Sequence, residues 1–372
     1  MKATVESADL RPAVLWAARI LPKHPASHQM ILAGLLLDAT DNATITVCGF
    51  DYDTAVRATI PATVHTPGRM LVPGTVLAGL VATMPDGPVD LLPDAGRLDL
   101  RGPGLQACLP LMPADDYPTL PDLPTEVGRI PAVVLRDGVD RVTPAAGHDP
   151  TLPALTAVHV TVGDHLALEA TDRHRAAILD LPYERPLDTG EPVAMLVPAG
   201  TLTTLTRTMT GTVTLHADTN PEGTARVGMA WDGRQVTTRL IDAEFPPVRT
   251  AFTPDTITHR VRADRAMLLA AVTRVTPAGR RDDPVRLTMD AGRLTVTMTG
   301  ADGQSATTDI PATTDGGTDE WHCHNRYLTD ALRAFRGEQV VIGRRGDSGP
   351  TDIDDPADTA YRHLMAVVQV HG

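Results

Sequence analysis

The 372-residue sequence predicts an α+β chain built from three like units, each with two short helices set among β-rich runs. Two observations carry this. The first is Leu71-Val-Pro-Gly-Thr-Val-Leu-Ala-Gly-Leu-Val-Ala-Thr-Met84, which returns as Leu196-Val-Pro-Ala-Gly-Thr-Leu-Thr-Thr-Leu-Thr-Arg-Thr-Met209 with seven of fourteen positions identical. The second is a set of landmarks that repeat in the same order. Arg19-Ile-Leu-Pro22, Arg141-Val-Thr-Pro144 and Arg274-Val-Thr-Pro277 each close an apolar stretch of helical spacing, at intervals of 122 and 133 residues. Asp116-Tyr-Pro118 and Glu244-Phe-Pro246 each end a strand-like run, 128 residues apart.

In the first unit, residues 1–120, a strand leads into a helical segment over 7–23 that Pro22 and Pro25 stop. The runs Met30 to Leu37, Thr44 to Phe50 and Ala55 to Ile60 are short and β-rich, with Gly, Asp and Asn between them. The segment 73–84 is a second helix, with Pro73 suited to a first turn. Strands follow around Gly96 to Leu100 and Leu105 to Leu111. A Pro-rich stretch, Pro113 to Pro124, has the composition of an extended connector. The second unit, 128–250, places helices at 131–143 and 198–209, strands at Leu155 to Val162 and Leu166 to Ala170, and the motif Ala170-Thr-Asp-Arg-His-Arg175. The third, 256–372, places helices at 262–281 and 325–337 and a closing strand from Leu364 to Val370. Its polar tract Gly346 to Asp358 is expected to be an exposed loop with no packed role.

The three cysteines, Cys48, Cys108 and Cys323, are far apart, which argues against a disulfide framework and fits a reducing cytoplasm. No apolar run reaches membrane-spanning length and the first residues lack an export signal, so no membrane partner is expected. The net charge of −13 discourages nucleic-acid binding, but its distribution reverses that. The six helical segments carry 14 basic and 5 acidic residues, a net of +9, and the remainder carries −22. Basic helices in an acidic protein predict a focused positive surface.

Enzyme readings find little support. No phosphate-binding Gly-rich loop precedes either lysine, Lys2 or Lys23, and no Gly-x-Ser-x-Gly or His-Glu-x-x-His occurs. His322-Cys323-His324 puts adjacent ligand types on opposite faces of a strand, so no metal or other cofactor is expected. Asp172 and His174 form the one drawable acid/base pair, and a hydrolase using them is the alternative from a different class.

Met1-Lys-Ala-Thr-Val-Glu6, Ala33-Gly-Leu-Leu-Leu37, Val72-Pro73, Ala170-Thr-Asp-Arg-His-Arg175 and Leu240-Ile-Asp-Ala-Glu-Phe-Pro246 together resemble the bacterial DNA polymerase III beta subunit, the sliding clamp, over the whole chain. The resemblance implies three clamp domains, each two helices packed on antiparallel β-sheets. It also implies a head-to-tail dimeric ring around duplex DNA and no catalysis of its own. Its implied partners are the polymerase alpha subunit and the clamp loader, engaged through linear peptide motifs. A ring that slides needs diffuse positive charge and no base readout. The cations implied for that lining are Arg11, Arg19, Lys23, Arg141, Arg207, Arg274, Arg326 and Arg333.

The family's peptide pocket maps onto Leu155, Thr171, His174, Arg175 and Pro246 as matches. Arg173 stands where the family has Gly, Ala176 where it has Leu, and Thr250 and Ala251 replace an Arg and a Val. The family's terminal Met-Pro-x-Arg corresponds to Ala366, Val367, Val368 and Gln369. A long cation for a glycine and smaller apolar groups imply a pocket of changed shape and charge. Two versions of the clamp follow, the replicative clamp of the host and, slightly favoured by the altered pocket, a divergent second clamp that escapes an inhibitor of the ordinary one. At the implied subunit contact, Ala107 and Leu109 on an edge strand and Thr276 and Pro277 after a helix offer few buried apolar groups, which predicts a weaker dimer.

Overall fold

The computed structural model describes residues 1–22, 27–185, 192–218, 225–252, 256–280, 282–346 and 349–368. Six α-helices stand at the six expected places: α1 (Ser7–Ala17), α2 (Gly74–Ala82), α3 (Ala132–Val142), α4 (Ala199–Thr206), α5 (Arg265–Val275) and α6 (Asn325–Ala334). No helix among the described residues is long and apolar enough to cross a membrane.

The landmark motifs explain the helix ends. After α3 and α5, Thr143–Ala145 and Thr276–Ala278 tighten into 3-10 turns with Pro in the first turn, as a residue without an N–H allows. Pro73 and Pro198 differ from the expectation by one position. Each sits outside its helix as the N-cap, with φ −57° and −53°, because the preceding strand holds it extended. Gly74 then opens α2 where a Cβ would meet Leu21 at 2.3 Å, so the helix packs at a distance only glycine permits. The Asp264 carboxylate caps α5 by accepting from the Met267 N–H at 2.7 Å.

The chain separates into two compact units. One comprises residues 1–129 and 210–239. It holds α1, α2 and a five-stranded antiparallel sheet in the order Thr63–Thr66, Lys2–Glu6, Pro88–Asp94, Arg97–Gly102, Leu105–Pro110. A second sheet of eight strands runs on from the first repeat into the middle one, because Arg234–Arg239 pairs with Thr54–Pro61, Val236 opposite Val56. Trp16 of α1 packs edge-on against Trp231 at 5.6 Å. The connector after Pro113 is extended but packed: Tyr117 and Leu120 are buried with Leu36, Phe50 and Leu71, and Arg57 donates to the carbonyls of Leu120 and Pro121.

The other unit comprises residues 130–209 and 240–372 and contains a twelve-stranded sheet with α3 to α6. Arg175–Leu181 pairs antiparallel with Asp358–Met365, Ala176 opposite Leu364, and this ladder joins the middle repeat to the third. The compact units therefore cut across the middle repeat, since backbone pairing welds each of its halves to a neighbour.

Two expectations need correction here. The polar tract 346–358 is not a loop without a packed role: it contains the strand Thr351–Asp355, in which Thr351, Asp352, Ile353 and Asp355 are buried. Asp352 is paired with Arg345 at 2.5 Å and Asp355 accepts from the Gly337 N–H at 2.9 Å, so acidic side chains are buried with their partners. The closing strand ends at Met365, short of the expected Val370, and only Val367 continues it as an isolated bridge to Cys323.

Candidate functional site

The helices present a sparse set of cations. Their solvent-facing positions are mostly small or neutral: Ala8, Pro12 and Leu15 on α1, Thr75, Val76 and Gly79 on α2, Gly200 and Thr204 on α4, Ala266, Met267 and Ala270 on α5. Arg19, Arg207, Arg274 and Arg333 are exposed, each at or near a helix C-terminus, where the helix dipole favours positive charge.

Three of the remaining expected cations, Arg11, Arg141 and Arg326, are engaged. Arg141 is buried, pairs with Asp358 at 2.6 Å and Asp137 at 3.8 Å, and lies 4.5 Å from the centroid of the Tyr361 ring. The expectation that it lines a surface with free positive charge fails, although its repeat counterpart Arg274 is open and donates only to a hydroxyl, that of Thr308, among the described contacts. Arg11 donates to the carbonyls of Val81 and Met84 and pairs with Asp86 at 3.0 Å. Arg326 lies 3.8 Å from Asp330. Lys23 lies outside the described residues.

The motif Ala170 to Arg175, expected at a peptide site, forms a hairpin turn. Thr171 and Ala176 are paired across it, the Asp172 N–H donates to the Arg175 carbonyl at 3.3 Å, and the Asp172 carboxylate accepts from the N–H groups of His174 and Arg175 at 3.0 Å each. That geometry places Arg173 at φ 77°, a conformation that suits glycine. Arg173 and His174 are exposed. The Asp172 carboxylate is committed to this turn and to the Arg175 guanidinium, and it meets His174 through the backbone rather than the ring, so nothing supports an acid/base pair.

Strand alternation then sorts the neighbours. Ala176 and Ile178 turn to one face, where they are buried with Val248, Phe252 and Leu364 and flanked by Phe245. Arg175 turns to the helix face: its side chain is 2 % exposed, pairs with Asp172 and Asp330 at 2.9 Å each, and lies over the Tyr327 ring at 4.2 Å. Arg175 and Ala176 cannot both line one pocket, because adjacent strand residues face opposite ways. Arg175 therefore leaves the expected lining as a side chain.

Residues 245–252 contribute Val248 and Phe252 to the apolar face and are fastened at several points. Phe245 stacks on His159 at 4.9 Å. Arg249 bonds Glu169 and pairs with Asp180 at 2.6 Å. Burial pushes the Glu169 carboxyl up, but hydrogen bonds from His159 and Arg249 outweigh it and hold the group below its usual range. The Ala251 carbonyl accepts from Arg345 at 2.6 Å, and the Arg362 guanidinium lies 4.9 Å from the Phe252 ring.

Pro246, Thr250 and Ala251 belong to this segment, and the Ala366 N–H donates to the His174 carbonyl at 2.7 Å. Leu155 is buried but outside the cluster. Val367 and Val368 run beside Cys323 and His322 instead, and Gln369 lies outside the described residues. Val248 and Phe252 were missed although they lie in the run with Pro246, Thr250 and Ala251, and Leu364 and Arg362 because no run of sequence links them to it. The pairing of Ala176 with Leu364 brings the last two to the face that Val248 and Phe252 share.

At the expected subunit contact, Leu105–Pro110 is indeed an edge strand. Leu109 is buried within its own unit, whereas Ala107 is half-buried on the same side of the strand. Pro277 is exposed, and the Thr276 hydroxyl is tied to the Val272 carbonyl at 2.7 Å.

Models of three DNA polymerase III beta subunit domains match the chain: the N-terminal domain at residues 1–121, the central domain at 129–247 and the C-terminal domain at 250–369. The chain is 31% identical to the beta sliding clamp of Streptomyces coelicolor, over the full length of both. It is 29% identical to the beta sliding clamp homolog GriR of Streptomyces muensis, again over the full length of both. In fold it is similar to a Pseudomonas aeruginosa sliding clamp (DNA polymerase III subunit beta) bound to griselimycin, with a TM-score of 0.90, 20% identity and all of both chains covered.

Proposed function

Because the chain belongs to the DNA polymerase III beta subunit family, we propose that two copies close head to tail around duplex DNA, as a sliding clamp that tethers the polymerase and has no catalysis of its own. The observation that carries this reading is the family match in three consecutive segments spanning the chain. The three repeats, 1–120, 128–250 and 256–372, are its clamp domains, and it acts in the cytoplasm. Arg19, Arg207, Arg274 and Arg333 supply diffuse attraction to phosphates, with no base contacts needed. The apolar face at Ala176, Val248, Phe252 and Leu364, with the rim at Arg173, His174, Pro246 and Thr250, takes short linear segments of the polymerase alpha subunit and the clamp loader. Light scattering after size exclusion tests the ring: the reading requires twice the 39.6 kDa of one chain, and a monomer at every concentration would contradict it.

A second reading concerns the altered rim. Arg173 and Ala176 change its charge and volume, and the similar proteins include one named as the homolog GriR and one bound to griselimycin. This chain is then a specialised clamp that tolerates such an inhibitor. Titrating griselimycin against this chain and against the Pseudomonas aeruginosa clamp tests it, and equal affinities would remove the reading.

A further inference from the structure

The turn at Asp172 to Arg175 has a twin in the first repeat. In Asp51 to Thr54 the Asp51 N–H donates to the Thr54 carbonyl at 3.2 Å, the Asp51 carboxylate accepts from the N–H groups of residues 53 and 54, and Tyr52 holds φ 76° where Arg173 holds 77°. Tyr52 has an intramolecular reason for its place, since its ring meets Phe50 edge-on at 5.6 Å. Arg173 has none of that kind. Among the described residues its guanidinium forms no ion pair and lies over no ring, and the charge it influences, the exposed carboxylate of Asp149, feels it as the weakest of four causes. A long cation thus stands exposed at a backbone conformation that disfavours it, three residues from Ala176 on the apolar face. Strain kept at a surface position without an internal contact points to an external one.

We infer that Arg173 selects the partner peptide, pairing with an acidic residue that flanks the apolar side chains seated on the Ala176 and Leu364 face. The inference rests on the peptide-binding reading of that face. Nearby charges leave Arg173 available: the Asp172 carboxylate is taken by Arg175 and the turn, and Asp149 is held by Thr151. The resulting contact is an exposed ion pair, so its contribution is modest and salt-sensitive.

The test uses the full chain and two labelled synthetic peptides that share a Leu-Phe core and differ only in Glu or Gln just before it, followed by fluorescence anisotropy. The wild-type chain is expected to prefer the Glu peptide by about threefold at low salt, fading at high salt. In Arg173→Gly the ratio collapses to about one, and in Arg173→Glu it inverts. Equal binding of the two peptides by the wild type, or a preference that survives in both variants, overturns the inference and leaves the peptide reading standing. Binding of neither peptide overturns both. A loss of salt dependence in DNA binding by Arg173→Gly, with peptide preference unchanged, would make Arg173 a phosphate contact and overturn it as well.

Discussion

Arg173 and Tyr52 hold the same place in two copies of one turn, at φ 77° and 76°. Each carries the steric cost of a Cβ in the left-handed region, but only Tyr52 recovers part of it, through Phe50. Arg173→Gly is therefore expected to stabilise its unit by about 1 kcal/mol, read as a higher urea midpoint, and Tyr52→Gly to gain less. A destabilised Arg173→Gly would mean the turn is not strained.

Arg141 and Arg274 end equivalent helices and do different work. Arg141→Ala leaves Asp358 without its cation and removes the contact with Tyr361, while Asp137 keeps Arg336 at 2.7 Å, so it should cost about 2 kcal/mol of stability. Arg274→Ala should change stability by no more than about 0.5 kcal/mol, yet lower the slope of log K against log salt for DNA by roughly one per chain. Unfolding curves and a salt titration on duplex DNA separate the two.

Much of this was legible in the sequence. The fourteen-residue repeat located α2 and α4 and the Arg-x-x-Pro landmarks α1, α3 and α5, because helix starts and stops are written in local chemistry, and α6 followed as the second helix that a third like unit requires. The charge count was legible as composition but not as surface: a guanidinium reads alike whether it is open, as in Arg274, or clasped, as in Arg141. The acidic strand Thr351–Asp355 was hidden for the same reason, since only its pairing with Arg345 and the Gly337 N–H makes burial tolerable. The apolar face proposed for peptides depends on strand register over nearly two hundred residues, and on alternation that separates Arg175 from Ala176.

A buried histidine and a half-buried aspartate in the twelve-stranded unit oppose each other in pH. The His363 ring bonds the Tyr361 hydroxyl at 3.1 Å, and burial, with Arg175 second, lowers its pKa from 6.5 to about 3. The fold refuses a proton that the unfolded chain accepts, so stability is lost as pH falls below 6.5. Asp354 works the other way: burial first, then Asp352, raises it from 3.8 to about 6 against the pull of Arg362, Arg345 and Arg260. The stability it contributes is full below 3.8 and is lost as pH rises through about 6. Melting curves across that range should peak near its upper end. His363→Leu should flatten the acid limb, and Asp354→Asn should raise Tm above neutral pH but not in acid.

Ala107 leaves the edge strand Leu105–Pro110 with little apolar area to bury in a partner. Ala107→Phe is expected to tighten the dimer by about 1.5 kcal/mol or more per contact, seen as dimer persisting to lower concentration in a dilution series. No change would place the subunit contact elsewhere.

A ring holds DNA by topology rather than by affinity. The decisive measurement loads the labelled chain onto nicked circular plasmid with a bacterial clamp loader and ATP, then filters it in salt high enough to remove loosely bound protein. Retention on the circle and loss after a single linearising cut is the expected result. Equal retention on both forms, or equal loss from both, would contradict a sliding clamp.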